Sequence, residues 1–162
     1  ADNILDYRYF DTFLPMFRDA GIDLKYVFEM KCNLTRGQVE RLLECGLGAA
    51  QLGIETFITP ILRMIHKGAT GVQNLQTLKW LSEPGIEVKW NLLYGFPGEN
   101  PDDYQWLADL IPSLYHLAPP MAWGRVRLDR FSPYFEDPIG HGMVNPRPNP
   151  AFHYVYPFPE SV

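Results

Sequence analysis

An apolar run that stops at a turn built from glycine and proline is the strongest constraint on what this chain can become. Asn91-Leu92-Leu93-Tyr94 leads straight into Gly95-Phe96-Pro97-Gly98-Glu99, which reads as a buried strand delivering its end to a loop. Upstream, Gln51-Leu52-Gly53-Ile54-Glu55 repeats the arrangement, again with a carboxylate where the apolar run ends. Helical sequence separates the two runs. Strands spaced by helices pair in parallel through right-handed crossovers and carry their working residues at the C-terminal strand ends. Two such ends predict one pocket.

The rest of the chain extends this pattern. Leu5, Phe10, Phe13, Leu14 and Phe17 recur at helical spacing, which predicts a helix over 4–18 despite Pro15. A β-prone run predicts a strand over 22–30, and Thr35-Arg36-Gly37-Gln38 offers a capping box to a helix that Gly46 closes. A strand over 49–54 follows. Thr59-Pro60 reads as an N-cap with proline in the first helical position, and the helical region breaks at Gly68, restarts near Thr70 and ends at Pro84-Gly85. A strand over 88–94, a helix begun by Asn100-Pro101-Asp102-Asp103 and a last strand over 125–131 complete the series. The fold class is α/β with parallel strands, in four β/α units that amount to half a barrel. Beyond Ser132, Pro133, Pro138, Pro146, Pro148, Pro150, Pro157 and Pro159 exclude regular elements and predict an irregular extension.

Composition narrows the function. A chain of 162 residues, 46% hydrophobic and 20% charged, has enough apolar sequence for one substantial core. A net charge of -5 disfavours phosphate-backbone binding, so nucleic acid is not expected as a partner. No apolar run approaches the roughly 20 residues that cross a bilayer, so no membrane partner is expected and the reading is cytoplasmic. Cys32 and Cys45 fit no common metal spacing and read as buried reduced thiols. His66, His116, His141 and His153 are scattered, which predicts no metal site. Trp80 and Trp106 read as core.

The strand-end positions are Glu29 with Lys31, Glu55, Asn91 with Tyr94, and Asp129 with Arg130. Glu55 stands out, because Gly53 permits close backbone approach and the carboxylate follows Ile54 at a mouth suited to a ribose or an ammonium. Lys31 offers a positive charge to a carboxylate and Glu29 an acceptor to an amine, although the two residues also suit a mutual surface pair. The backbone of Leu92, Leu93, Tyr94 and Gly95 suits a flat base such as adenine. Glu99 sits next to a helix start, where dipole stabilisation competes with a ligand role.

Taken together, Asp2-Asn3-Ile4-Leu5 ahead of a helix, Glu29 to Asn33, Gly53-Ile54-Glu55 and Tyr94-Gly95-Phe96-Pro97-Gly98-Glu99 resemble the cobalamin-dependent radical S-adenosylmethionine (SAM) enzymes. Val126-Arg127-Leu128-Asp129-Arg130-Phe131-Ser132-Pro133-Tyr134 and Tyr154-Val155-Tyr156-Pro157-Phe158-Pro159 are similar to segments of the radical SAM maturases, C-methyltransferases of ribosomally synthesised and post-translationally modified peptides. The resemblance implies the C-terminal part of a partial (β/α)6 radical SAM barrel over 1–131. It also implies a proline- and aromatic-rich extension over 132–162 that packs on the barrel. By position, Glu55 would contact the ribose or methionyl portion of SAM, Leu92 to Tyr94 would border its adenine, and Lys31 would meet its carboxylate, with Glu29 and Asn91 also counted among the cofactor-binding residues. Asp2 and Asn3 would lie at the end of the barrel's second strand.

Such an enzyme cleaves SAM reductively and uses the radical to take hydrogen from an unactivated carbon of a precursor peptide, after which methylcobalamin donates a methyl group. The family's 4Fe-4S cluster is held by a CxxxCxxC loop, which two separated cysteines do not make. The resemblance therefore places the cluster loop and a cobalamin domain in a preceding part of the same polypeptide, and implies that this segment alone is inactive. Two other readings remain open. One is a metal-free barrel lyase using Glu55 and Lys31 as acid and base. The other is a non-catalytic module that binds a polypeptide through its open edge and tail. A half barrel exposes strand edges, so the isolated chain is expected to self-associate. Sedimentation showing a sharp monomer at high concentration would contradict this.

Overall fold

In the computed structural model, which describes residues 4–147 and 151–156, strands β1 (Tyr26–Met30), β2 (Leu47–Glu55), β3 (Glu87–Tyr94) and β4 (Ala122–Arg125) lie side by side in chain order. β1 pairs with β2 and β2 with β3 in parallel, as expected of a partial α/β barrel. Ile4 adds a parallel bridge to Glu29 on the other side of β1, and the Leu5 N–H donates to the Glu29 carbonyl over 2.8 Å. The chain divides into two compact units, 1–94 with 100–124 and 95–99 with 125–162.

The crossovers are helices α2 (Arg36–Glu44), α3 (Thr59–Met64) with α4 (Gly71–Ser82), and α5 (Asp102–Leu110). Capping explains where two of them begin. Thr35 with Gln38 and Thr70 with Gln73 each form a reciprocal box, satisfying amides that a helix start leaves unpaired. Alternation along the strands then sorts the sheet into two faces. Ala50, Leu52, Val88 and Trp90 are buried, with Ala50 beside Val88 and Leu52 beside Trp90. They meet Leu42, Ile61, Leu62, Leu78 and Leu81, all at most 1% exposed, in the core under the helices. The opposite face carries Glu29, Gln51 and Lys89 as one row in register. On the core side Trp90 also sets the return of the chain. Its indole N–H donates to the Ala118 carbonyl over 2.8 Å, and its own carbonyl accepts from the Met121 N–H over 2.8 Å.

Several boundaries differ from the sequence expectation for identifiable reasons. The helix expected over 4–18 is a 3-10 turn, Tyr7–Phe10, followed by α1 (Phe13–Asp19). The break places Pro15 in the first turn of α1, where its missing N–H has no intrahelical acceptor. Inside a continuous helix it would cost about 3 kcal/mol. The strand expected from residue 22 begins only at Tyr26, and Ile22 and Leu24 are exposed. Thr59 does not cap α3, because Ile58 occupies that position and the Thr59 hydroxyl accepts from the Gly71 N–H over 3.0 Å. Trp106 is 52% exposed and does not belong to the core.

In the second unit, no strand covers 126–131. β4 ends at Arg125, and a turn follows in which the Ser132 N–H donates to the Asp129 carbonyl over 3.0 Å. The prolines do not exclude short helices: α6 (Pro133–Glu136) and α7 (Phe152–Val155) form, with Pro133 in the first turn and the Ser132 hydroxyl accepting from the Phe135 N–H. Phe96 and Tyr134 stack at 6.0 Å, and Tyr134 meets His141 at 4.9 Å. No helix among the described residues is long and apolar enough to cross a membrane. Leu62→Ala, which empties a site with 0% exposure between α3 and the sheet, should destabilise the chain by about 3 kcal/mol. Urea unfolding with an unchanged slope and a lower midpoint would show it.

Candidate functional site

At the end of β2 the backbone leaves regular geometry. Between the pairings Leu52 with Trp90 and Glu55 with Leu92, β2 advances three residues while β3 advances two, so β2 carries a bulge. The Thr56 N–H donates to the Ile54 carbonyl over 2.7 Å, closing a three-residue turn around Glu55, whose φ is +58°. A γ-turn with a left-handed, non-glycine centre is rare and costs energy that other contacts must offset. The offset comes from Asn74 of α4. Its side-chain amide donates to the Ile54 carbonyl over 2.9 Å and to the Thr56 carbonyl over 2.8 Å, and the residue has 0% exposure.

The Glu55 carboxylate accepts from the Lys67 ammonium over 2.6 Å, and both side chains are about three-quarters shielded, at 22% and 27% exposure. Lys67 is held by its own turn. α3 ends with the Lys67 N–H donating to the Leu62 carbonyl and the His66 N–H to the Arg63 carbonyl, with His66 at φ +53°. This is a Schellman closure with histidine in the position usually given to glycine. Gly53 supplies the space, because a Cβ there would lie 3.0 Å from the Lys67 nitrogen and 3.3 Å from its Cε. Beneath the pair lies Cys32, whose carbonyl accepts from the Thr77 hydroxyl over 2.9 Å. Burial pushes the Cys32 thiol up to about 12, a rise that Lys67 opposes and Glu55 reinforces.

The other strand-end candidates are less constrained. Glu29 shares the open sheet face with Gln51, but no Glu29–Lys31 ion pair forms, and Lys31 is exposed without an ion-pair partner among the described residues. Asn91 is partly buried, and its side-chain carbonyl oxygen is shielded with no hydrogen-bond partner. Such an atom is costly to leave unmatched and suits a ligand donor. Leu92 lines an apolar cavity of about 250 Å³ on the helix side with Phe57, Leu78, Trp90 and Leu107. Only its backbone is therefore disposed toward a ligand at the strand end. Leu93 is partly buried beside it, and Tyr94, which closes β3, is 40% exposed. Asp2 and Asn3 lie outside the described residues.

In the second unit Glu99 is turned onto its own loop. Its carboxylate accepts from the Gly95 N–H over 2.7 Å and the Phe96 N–H over 3.0 Å, and the Glu99 N–H closes a turn on the Phe96 carbonyl. Pro97 and left-handed Gly98, at φ +84°, are the residues a type II turn demands. Asp129 pairs with Arg127 over 3.3 Å at an exposed position, and the Arg130 guanidinium lies 5.0 Å from the Phe131 ring. Neither is held as Glu55 is.

Lys67 and Asn74 are the residues of this arrangement that strand-end reasoning missed. Asn74 left a signal, since spacing with Leu78 and Leu81 places an amide on the buried stripe of α4, where a polar group needs a partner. Lys67 left none, because only folding brings it across Gly53. Both cysteines are free and buried. No group of three or more His, Cys, Asp or Glu among the described residues is placed to hold a metal ion. The arrangement provides a locked carboxylate beside a locked ammonium at a strand end, suited to a polar or zwitterionic group.

The Radical SAM superfamily model matches residues 3–111. No curated protein matches. Among solved structures, the N-terminally deleted Elp3 of the archaeon Methanocaldococcus infernus is similar at TM-score 0.56 and 16% identity over 70% of this chain and 27% of that one. The radical S-adenosylmethionine methyltransferase TsrM of Kitasatospora setae, bound to tryptophan substrate and aza-SAM, gives 0.55 and 16% over 70% and 23%. The same enzyme with cobalamin and a 4Fe-4S cluster gives 0.54 and 16% over 69% and 23%. The chain thus spans about a quarter of the length of these proteins, and at this identity they show the fold alone.

Replacing Glu55 separates strain from contact. Glu55→Ala and Glu55→Gly both remove the ion pair, but glycine accepts φ +58° freely, so the glycine variant should be the more stable by about 1 kcal/mol. Equal urea midpoints for the two variants would show that the turn carries no strain.

Proposed function

We infer, because the chain belongs to the radical SAM superfamily, that its strand ends bind S-adenosylmethionine within a larger radical SAM methyltransferase acting on a ribosomal peptide precursor. The observation that carries this reading is the Glu55 turn. A strained, partly shielded carboxylate locked by a buried amide at the end of a parallel strand is built for a ligand rather than for stability. Asn91 supports it with a shielded acceptor lacking a partner. The TsrM structures, which share the fold, contain a SAM analogue, cobalamin and a 4Fe-4S cluster.

The family implies SAM and a 4Fe-4S cluster, and the residues present fit only the first. Three thiolates are needed to hold the cluster, whereas this chain has two cysteines, both buried and on different elements. Burial holds the Cys32 proton on, opposite to what metal ligation requires. No reaction step is assigned to these thiols. The proposed division of labour gives the cluster ligands and cobalamin binding to other parts of the protein, and orientation of SAM to the strand ends here. In that arrangement Glu55 meets the ribose or methionyl portion, and the backbone of Leu92 to Tyr94 borders the adenine. The electron, the hydrogen abstraction and the methyl transfer to carbon are cofactor chemistry that these residues position.

Glu55→Ala in the intact protein should weaken SAM binding about tenfold while leaving the visible absorbance of the cluster unchanged. Titration showing unaltered affinity for SAM would remove Glu55 from the site.

A further inference from the structure

We propose that the apolar cavity between β3 and α5 is a binding site for a small, uncharged, flat aromatic molecule. The cavity lies on the helix side of the sheet, so the proposal goes beyond the strand-end reading above and does not rest on it. Its volume is about 250 Å³. Folded proteins hold few voids larger than a water molecule, and a dry engineered cavity of roughly 150 Å³ takes up benzene. This one has room for a second fused ring.

The walls explain why the space does not close. Trp90 and Leu92 come from β3, Leu78 from α4, Leu107 from α5, and Pro119 with Pro120 from the segment that leads to β4. That segment is pinned to Trp90 at both ends, through the Ala118 carbonyl and the Met121 N–H, each over 2.8 Å. Between those anchors the two prolines have φ fixed by their rings, so the segment cannot fold inward. The lining also decides what fits. No lining residue is charged, and its polar side-chain groups are the Trp90 indole N–H, already committed to Ala118, and the hydroxyl of Tyr115, a residue 88% exposed. A buried water needs about two to four polar partners, which these two side chains do not supply. A charged ligand would give up its hydration without return. Phe57 and Trp90, with ring centroids 5.2 Å apart and planes at 56°, set tilted rings in the wall, where a further ring packs edge to face. Ile111 and Tyr115 are lining residues that are also exposed, and they mark where the cavity opens to solvent.

The test uses the intact protein and indene, an uncharged hydrocarbon of two fused rings. Methyl-resolved NMR should show saturable shifts at Leu92 and Leu107, with a dissociation constant on the order of 0.1 mM. Cyclohexane, which has no aromatic face or edge to present, and indene-3-carboxylate, which adds a charge, should each bind about tenfold more weakly. Leu78→Phe and Leu107→Phe each place a ring in the space and should weaken indene about tenfold. The two substitutions lie on different helices, so failure of one to fold leaves the other, and the shifts in the unaltered protein locate the probe without either. Absence of a saturable shift there would mean that the protein's own chain fills the cavity. Unchanged affinity in the filled variants would put the probe elsewhere, and cyclohexane or the carboxylate binding as tightly as indene would remove the ligand class. Each of these results overturns the proposal.

Discussion

Two hydrogen bonds from the buried Asn74 amide hold the place where the end of β2 departs from regular geometry. Without them the carbonyls of Ile54 and Thr56 would be buried without that donor, and nothing would offset the left-handed turn at Glu55. The clamp also explains why α4 carries an amide on its apolar stripe. A leucine at 74 would fill the space but release the turn, so the helix gives up apolar contact to fix the backbone on either side of Glu55, the last paired residue of β2. The same amide leaves its own oxygen without a partner. Stability is thus given up twice at one site, once in the turn and once in the clamp, which is the pattern of a functional constraint rather than of a packed core.

The division of the sheet into faces follows from the same parallel register. Buried apolar residues on one side meet the helices, while Glu29, Gln51 and Lys89 form a row on the other. Lys89 is engaged by Glu87, two residues back on the same strand, over 3.2 Å. In a parallel sheet covered on both faces, strands read as continuous apolar runs. These strands do not, and the polar row marks a face built for something other than core. The bulge in β2 lies where this row gives way to the strand end, and it re-aims the chain from sheet into site.

Much of this was legible in the residues. The two capping boxes, the parallel order and the turn at Pro97-Gly98 follow from local chemistry that needs no tertiary partner. Glu55 was legible too, because a charge ending an apolar strand next to glycine has few structural uses. What could not be read depended on distance in sequence. The strand at Ala122–Arg125 begins where it does because Trp90, a turn of chain earlier in the fold, holds the carbonyl of Ala118 and the N–H of Met121. Pro15 moved a helix boundary by a rule that was known but outweighed by apolar spacing. Lys67 was invisible because its relevance lies in a close approach to Gly53 across an intervening helix.

The environment of Cys32 clarifies what kind of chemistry this part of the protein contributes. A thiol that is to ligate a metal or attack a substrate needs its proton to leave readily, and a nearby ammonium ordinarily helps. Lys67 is near enough to favour the thiolate, yet burial dominates and the thiol stays protonated. Glu55 stands on the side of the proton, since its negative charge disfavours a second one on the sulfur. The constellation therefore spends its one positive charge on the carboxylate and leaves the sulfur as an apolar filler beneath it. An arrangement in that order holds its two charges as a fixed pair and keeps the sulfur protonated beneath them.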